Sequence, residues 1–123
     1  MIIPAGLLGE DFREKLERNA ESIGKNIDDD AFGLIVFDEE KSEINPLVAV
    51  KSAKSLCWER GCGSGSEAVG IYMADRLKSN VKLRLKQPGG IIETSVVYEN
   101  GIKSASIKGA VKIAAEGSAF TDC

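Results

Sequence analysis

Trp58-Glu59-Arg60-Gly61-Cys62-Gly63-Ser64-Gly65-Ser66 runs straight into an apolar stretch from Glu67 to Leu77. The spacing predicts a short strand ending near Glu59, a glycine-rich turn carrying a thiol, and then a helix. Gly61, Gly63 and Gly65 are expected to let the backbone take positive φ and to leave no Cβ in the way of a ligand. The first N–H groups of a helix have no intrahelical partner, and the positive end of its dipole lies there. A carboxylate or another small anion suits such a place, as does a thiolate. The structural alternative is a glycine turn in which Cys62 is simply a small hydrophobe.

The helix behind the turn, expected over 67–77, carries Ala68, Val69, Ile71, Met73, Ala74 and Leu77 around most of its circumference, with Gly70 as a small position. A helix apolar on all sides is a buried one. The expected fold is therefore α+β, with a strongly curved, mostly antiparallel sheet wrapped around one central helix. A second helix is expected over 10–23, outside the sheet. Phe12, Leu16, Ala20 and Ile23 recur there at helical spacing, and Gly24 is read as its C-terminal stop.

Strands are expected over 32–37, 47–50 with Pro46 at its start, and 55–59. Beyond the central helix, Val81, Leu83 and Leu85 alternate with Lys82, Arg84 and Lys86, which predicts a half-buried strand with a solvated basic face. Pro88-Gly89-Gly90 is a turn, 91–98 a strand, and Asn100-Gly101 a hairpin signal. Strands over 102–107 and 111–115 complete a meander, and 117–123 is a tail. Residues 1–123 read as one domain.

Composition narrows the function. The 123 residues are 43% hydrophobic and 28% charged, with a net charge of −3. The basic residues are scattered, so no nucleic-acid footprint is expected. No apolar run reaches membrane-spanning length, and no export signal is read at the N-terminus. A cytoplasmic protein with reduced thiols is therefore expected. The three cysteines are Cys57, Cys62 and Cys123, and there is no histidine. Cys-His and Ser-His pairs are thereby excluded, and no metal-ligand set is read. Cys57 reads as a core or sheet-face thiol, Cys123 as a terminal one, Trp58 as packing, and Ser64 and Ser66 as candidate helix caps. Asp28-Asp29-Asp30 lacks calcium-loop spacing and reads as a solvated loop.

Glu59-Arg60-Gly61-Cys62-Gly63-Ser64-Gly65 resembles the C-terminal catalytic motif of the diaminopimelate epimerase and proline racemase superfamily. Pro88-Gly89-Gly90, the Asn-Gly hairpin and the stretch from Gly109 to Gly117 resemble the rest of that C-terminal half. The resemblance implies a cofactor-independent amino-acid racemase or epimerase of two similar domains, each a sheet wrapped around a central helix. It implies that Cys62 is one of two acid–base sulfurs, one from each domain. It implies further that the amides of Gly63 and Ser64 bind the substrate α-carboxylate, and that Glu59 and Arg60 face its amino group and distal part. Diaminopimelate epimerases carry extra residues between the Glu-Arg pair and the cysteine. The compact spacing here is nearer the histidine racemase branch. On this reading the chain is the C-terminal domain, its partner is the missing N-terminal domain or a second copy, and the chain alone is inactive. The alternative is a non-catalytic module of the same fold that binds a small carboxylate or a protein.

Overall fold

The computed structural model describes residues 1–121, so Cys123 lies outside the described residues. The chain forms β1 (Ile2–Pro4), a short 3-10 turn (Ala5–Leu7), α1 (Phe12–Gly24), β2 (Ala31–Asp38), β3 (Glu43–Val50) and β4 (Ser55–Trp58). Then follow α2 (Gly63–Leu77), β5 (Val81–Gln87), β6 (Gly90–Tyr98) and β7 (Ile102–Gly109). The fold is α+β. Its seven strands form one open mixed sheet in the order β1-β2-β3-β5-β6-β7, with β4 also on β3. Most ladders are antiparallel. β1 runs parallel to β2, and a single parallel bridge, Glu43 to Lys86, joins β3 to β5. Among the described residues, no helix is long and apolar enough to cross a membrane.

Four consecutive residues of β2, Leu34 to Phe37, are buried because each face of the sheet carries a helix. Side chains of a strand alternate between faces. Leu34 and Val36 join Leu16 and Ala20 of α1 in one core. Ile35 and Phe37 join Val69 and Met73 of α2 in the other, with Ile44 and Leu85. α1 thus lies outside the sheet, as its stripe predicts. The helix ends at Gly24, which is its last residue rather than a C′ residue beyond it. A Cβ there would come within 2.8 Å of the Phe32 ring, so its smallness serves packing.

The central helix departs from expectation in two ways. It begins at Gly63, four positions before Glu67, so the glycine-rich turn is its first helical turn. It is also enclosed on one face only. Gly65, Ser66, Val69, Gly70, Met73 and Ala74 are buried, whereas Ala68 and Tyr72 on the opposite face are exposed. Counting apolar residues around the helix overstated its enclosure, because the open sheet covers a single face. β6 approaches α2 most closely at Gly70, where a Cβ would stand 2.5 Å from Thr94 Oγ1.

β3 starts three residues before Pro46, and the proline sits inside it. Pro46 O accepts the Glu59 N–H at 2.9 Å. In a strand the N and O of one residue point to the same side. The missing N–H therefore faces away from β2, just past the end of the β4 ladder at Leu47–Trp58, so the β2 ladder is intact and only the return bond to Glu59 is absent. The Asn-Gly hairpin forms as read, with Asn100 and Gly101 both at positive φ. No strand forms over 111–115. The chain leaves the sheet after Gly109, and Val111 and Ile113 stand in solvent.

Two stability outcomes are expected. Thr94 Oγ1 is buried without a hydrogen-bond partner. Thr94→Val keeps its shape, removes the stranded hydroxyl, and should stabilise the fold by about 1–2 kcal/mol. Gly70→Ala should destabilise it by about 1–3 kcal/mol through overpacking. Urea denaturation followed by circular dichroism checks both. Glu39, after β2, accepts from Arg76 in the last turn of α2. That hydrogen bond, with the charge behind it, lowers the Glu39 carboxyl from its ordinary value of 4.5. A depressed carboxyl adds stability above its unfolded pKa and loses it as pH falls through the folded one. The stability difference between the wild type and Glu39→Gln should therefore be present at neutral pH. It should vanish once the pH is taken about two units below the ordinary value.

Candidate active site

Cys62 caps α2. Its backbone is extended, and its Sγ accepts the N–H of Gly65 at 3.3 Å. The helix therefore takes its N-cap from a sulfur, and not from Ser64 or Ser66 as their residue types suggested. Ser64 Oγ lies 3.5 Å from the same sulfur. Ser66 N–H and Ser66 Oγ both donate to the Cys62 carbonyl, at 3.0 and 2.8 Å. Cys62 is 7% exposed.

Gly61, Gly63 and Gly65 do not take positive φ; among the described glycines only Gly90 and Gly101 do. Two of the three are glycine because of close approach. A Cβ on Gly63 would lie 2.7 Å from Ile107 Cδ1. One on Gly65 would lie 2.9 Å from Ile35 Cδ1 and 3.2 Å from Cys62 Sγ. A Cβ on Gly61 would meet nothing within 4 Å. The first helical N–H groups, those of Gly63 and Ser64, take no acceptor among the described residues. They are therefore open to an anion at the positive end of the helix dipole.

Glu59 is half-buried and Arg60 is exposed. Arg60 Nη2 reaches Pro88 O at 3.4 Å, and Arg60 O accepts the Gly89 N–H at 2.6 Å. The Glu59-Arg60 pair is thereby tied to the turn after β5, close in sequence and space to the cysteine. Trp58 packs away from the site. It lies edge-on to Phe12 with ring centroids 5.7 Å apart. Its indole N–H donates to Glu17 at 2.6 Å, and Arg13 lies over its ring at 4.8 Å. This agrees with the packing role read for it. Cys57 is exposed on β4. A cleft walled by Pro4, Phe37, Tyr72 and Arg76 lies towards the other end of α2 and holds the Glu39–Arg76 ion pair but no cysteine.

One residue of the site escaped the sequence reading. Gln87 Oε1 accepts the Cys62 N–H at 2.7 Å, and Gln87 Nε2 donates to Ser66 Oγ at 2.8 Å. Its signal was present. Val81, Leu83 and Leu85 set the inward face of β5, and two residues further on that face ends in a buried amide.

The model of the histidine racemase CntK N-terminal domain matches residues 1–120. The chain belongs to this histidine racemase family. It is 31% identical over 93 residues to a histidine racemase of Staphylococcus aureus, covering 73% of this chain and 34% of that protein. It is 35% identical over 95 residues to a histidine racemase of Fusobacterium nucleatum, covering 77% of this chain and 34% of that protein. The chain thus spans about a third of the length of the curated relatives it matches. The matched model is that of an N-terminal domain, which does not support the C-terminal placement implied by the resemblance at Glu59–Gly65.

The close approaches give a contrast that can be measured. Gly65→Ala should cost about 1–3 kcal/mol, since its methyl group must displace Ile35 or the capping sulfur. Gly61→Ala has room and an ordinary φ, and should change stability by about 0.5 kcal/mol or less in either direction. Thermal unfolding of the two variants side by side checks this.

Proposed function

We propose that this chain is one domain of a two-domain, cofactor-independent amino-acid racemase with the diaminopimelate epimerase-like architecture, and that Cys62 is one of its two proton-transfer groups. The substrate α-carboxylate sits on the N–H groups of Gly63 and Ser64. Glu59 and Arg60 face its amino group and side chain. One sulfur, as thiolate, takes the α-proton and leaves a carbanion. The second sulfur, a thiol from the other domain, gives a proton to the opposite face and becomes the thiolate. Two-base transfer of this kind inverts the centre with no net change in protons. Hydrogen bonds from the helix N-terminus to the carboxylate stabilise the charge that spreads onto it in the carbanion.

The observation that carries this reading is the position of Cys62 as cap of α2, directly beside two unengaged N–H groups. Family membership supports it, and the names of the relatives make histidine the first substrate to test. The exposed face of α2 and the length of the relatives both fit a second domain supplied by sequence outside this chain.

The test is α-deuterium exchange in heavy water with histidine, diaminopimelate and proline. The chain by itself should exchange none of them. Joined to the complementary domain of a full-length histidine racemase, it should exchange histidine. Cys62→Ser should then lower the rate by roughly a hundredfold or more, since a hydroxyl is a poor acid–base group. Exchange unaffected by Cys62→Ser would refute the assignment. Histidine binding without any exchange would favour a module that only binds a small carboxylate.

A further inference from the structure

We infer that Gln87 is a positioning residue for Cys62, holding the cysteine backbone in a closed ring of hydrogen bonds. The inference rests on the reading of Cys62 as a reacting group. The ring runs from Cys62 N–H to Gln87 Oε1, from Gln87 Nε2 to Ser66 Oγ, and from the Ser66 hydroxyl to the Cys62 carbonyl. Its separations are 2.7, 2.8 and 2.8 Å. Gln87 is 8% exposed and Ser66 is 0% exposed.

The primary amide closes this ring in one orientation. A backbone N–H can only donate, so the amide oxygen must face Cys62. The amide nitrogen must then face Ser66, whose hydroxyl accepts from it and spends its own proton on the Cys62 carbonyl. A carboxylate at position 87 could still accept from Cys62 but has no hydrogen for Ser66. An apolar side chain would strand both Cys62 N–H and Ser66 Oγ.

The ring fixes the peptide groups on both sides of the Cys62 Cα, and so fixes where its sulfur stands. That sulfur needs the position, because Gly65 N–H must meet it at 3.3 Å. The next residues of the same turn grip the other flank of the loop. Gly89 N–H donates to Arg60 O, and a Cβ on Gly89 would come within 2.7 Å of that oxygen. Residues 87–89 thus hold residues 60–62 by one side-chain ring, one backbone bond and the Arg60 Nη2 bond to Pro88 O. Gln87 itself stays clear of the substrate's α-carbon chemistry and acts through Cys62.

The test is amide hydrogen exchange by NMR on the 123-residue chain, with Gln87→Met, Gln87→Glu, Ser66→Ala and the Gln87→Met/Ser66→Ala double variant. In Gln87→Met, protection of the Cys62 and Gly65 amides should fall by roughly tenfold or more, while amides from Val69 to Ala74 keep theirs. Gln87→Glu should retain protection at Cys62, since an acceptor is still present. The double variant should lose little beyond Gln87→Met, because both changes break one ring. Placed in an active two-domain racemase, Gln87→Met should lower kcat roughly tenfold or more with KM little changed. Protection lost in step along all of α2, equal loss in Gln87→Glu, additive losses, or an unchanged kcat would each overturn the positioning role. If the wild-type two-domain protein itself shows no exchange at the α-carbon, the racemase reading fails, while the amide protections still decide the ring.

Discussion

Between α2 and the structure around it there is no room for a Cβ at three successive points. Gly63 meets Ile107, Gly65 meets Ile35 and the capping sulfur, and Gly70 meets Thr94. Each close approach sets the height of the helix over the sheet, and that height decides everything near Cys62. If the helix stood further off, Gln87 at the end of β5 would no longer reach the first turn. The inner face of the helix is accordingly built of small or slender residues, with Val69 and Met73 supplying most of the apolar contact. Burying a side chain of that size is worth about 1.5–3 kcal/mol. That gain depends on the glycines holding the surfaces within contact distance.

The same geometry separates what was legible in the sequence from what was not. Alternation in β5, the stripe of α1 and the Asn-Gly hairpin are local patterns, and each formed where it was read. The start of α2 was misplaced because glycine and serine are poor helix formers. Here the Gly65 N–H is capped by a sulfur and the Ser66 N–H bonds the Cys62 carbonyl, so tertiary contact outweighs propensity. Gly61, Gly63 and Gly65 suggest conformational freedom, yet their backbones are ordinary, and at Gly63 and Gly65 the constraint is distance. Pro46 looked like a strand boundary because proline lacks a donor. Only the ladder shows that the missing donor faces away from β2, at the end of β4, where the Glu59 N–H still bonds the Pro46 carbonyl.

Of the candidate site, Cys62, Gly63 and Ser64 fall together at one helix end, and Glu59 and Arg60 precede them in the loop that leads in from β4. The supporting residues were hidden for a simple reason. Gln87 is twenty-five positions from Cys62, and its amide gains meaning only when the turn after β5 folds back onto the loop. Glutamine at a strand end is otherwise unremarked. Its place on the apolar side of an alternating strand was the one local sign that it was held rather than solvated.

The single tryptophan has a consequence of another kind. Trp58 belongs with Phe12, Leu16 and the α1 face of the sheet, while Tyr72 lies on α2 and Tyr98 lies beside Lys78 at its C-cap. The two helices are therefore labelled by different chromophores, one absorbing furthest to the red and the other at shorter wavelength. Indole emission excited at its red edge reports the α1 layer, and tyrosine absorbance reports the α2 side. The chain carries its own two-colour readout of whether the layers on either face of the sheet come apart together.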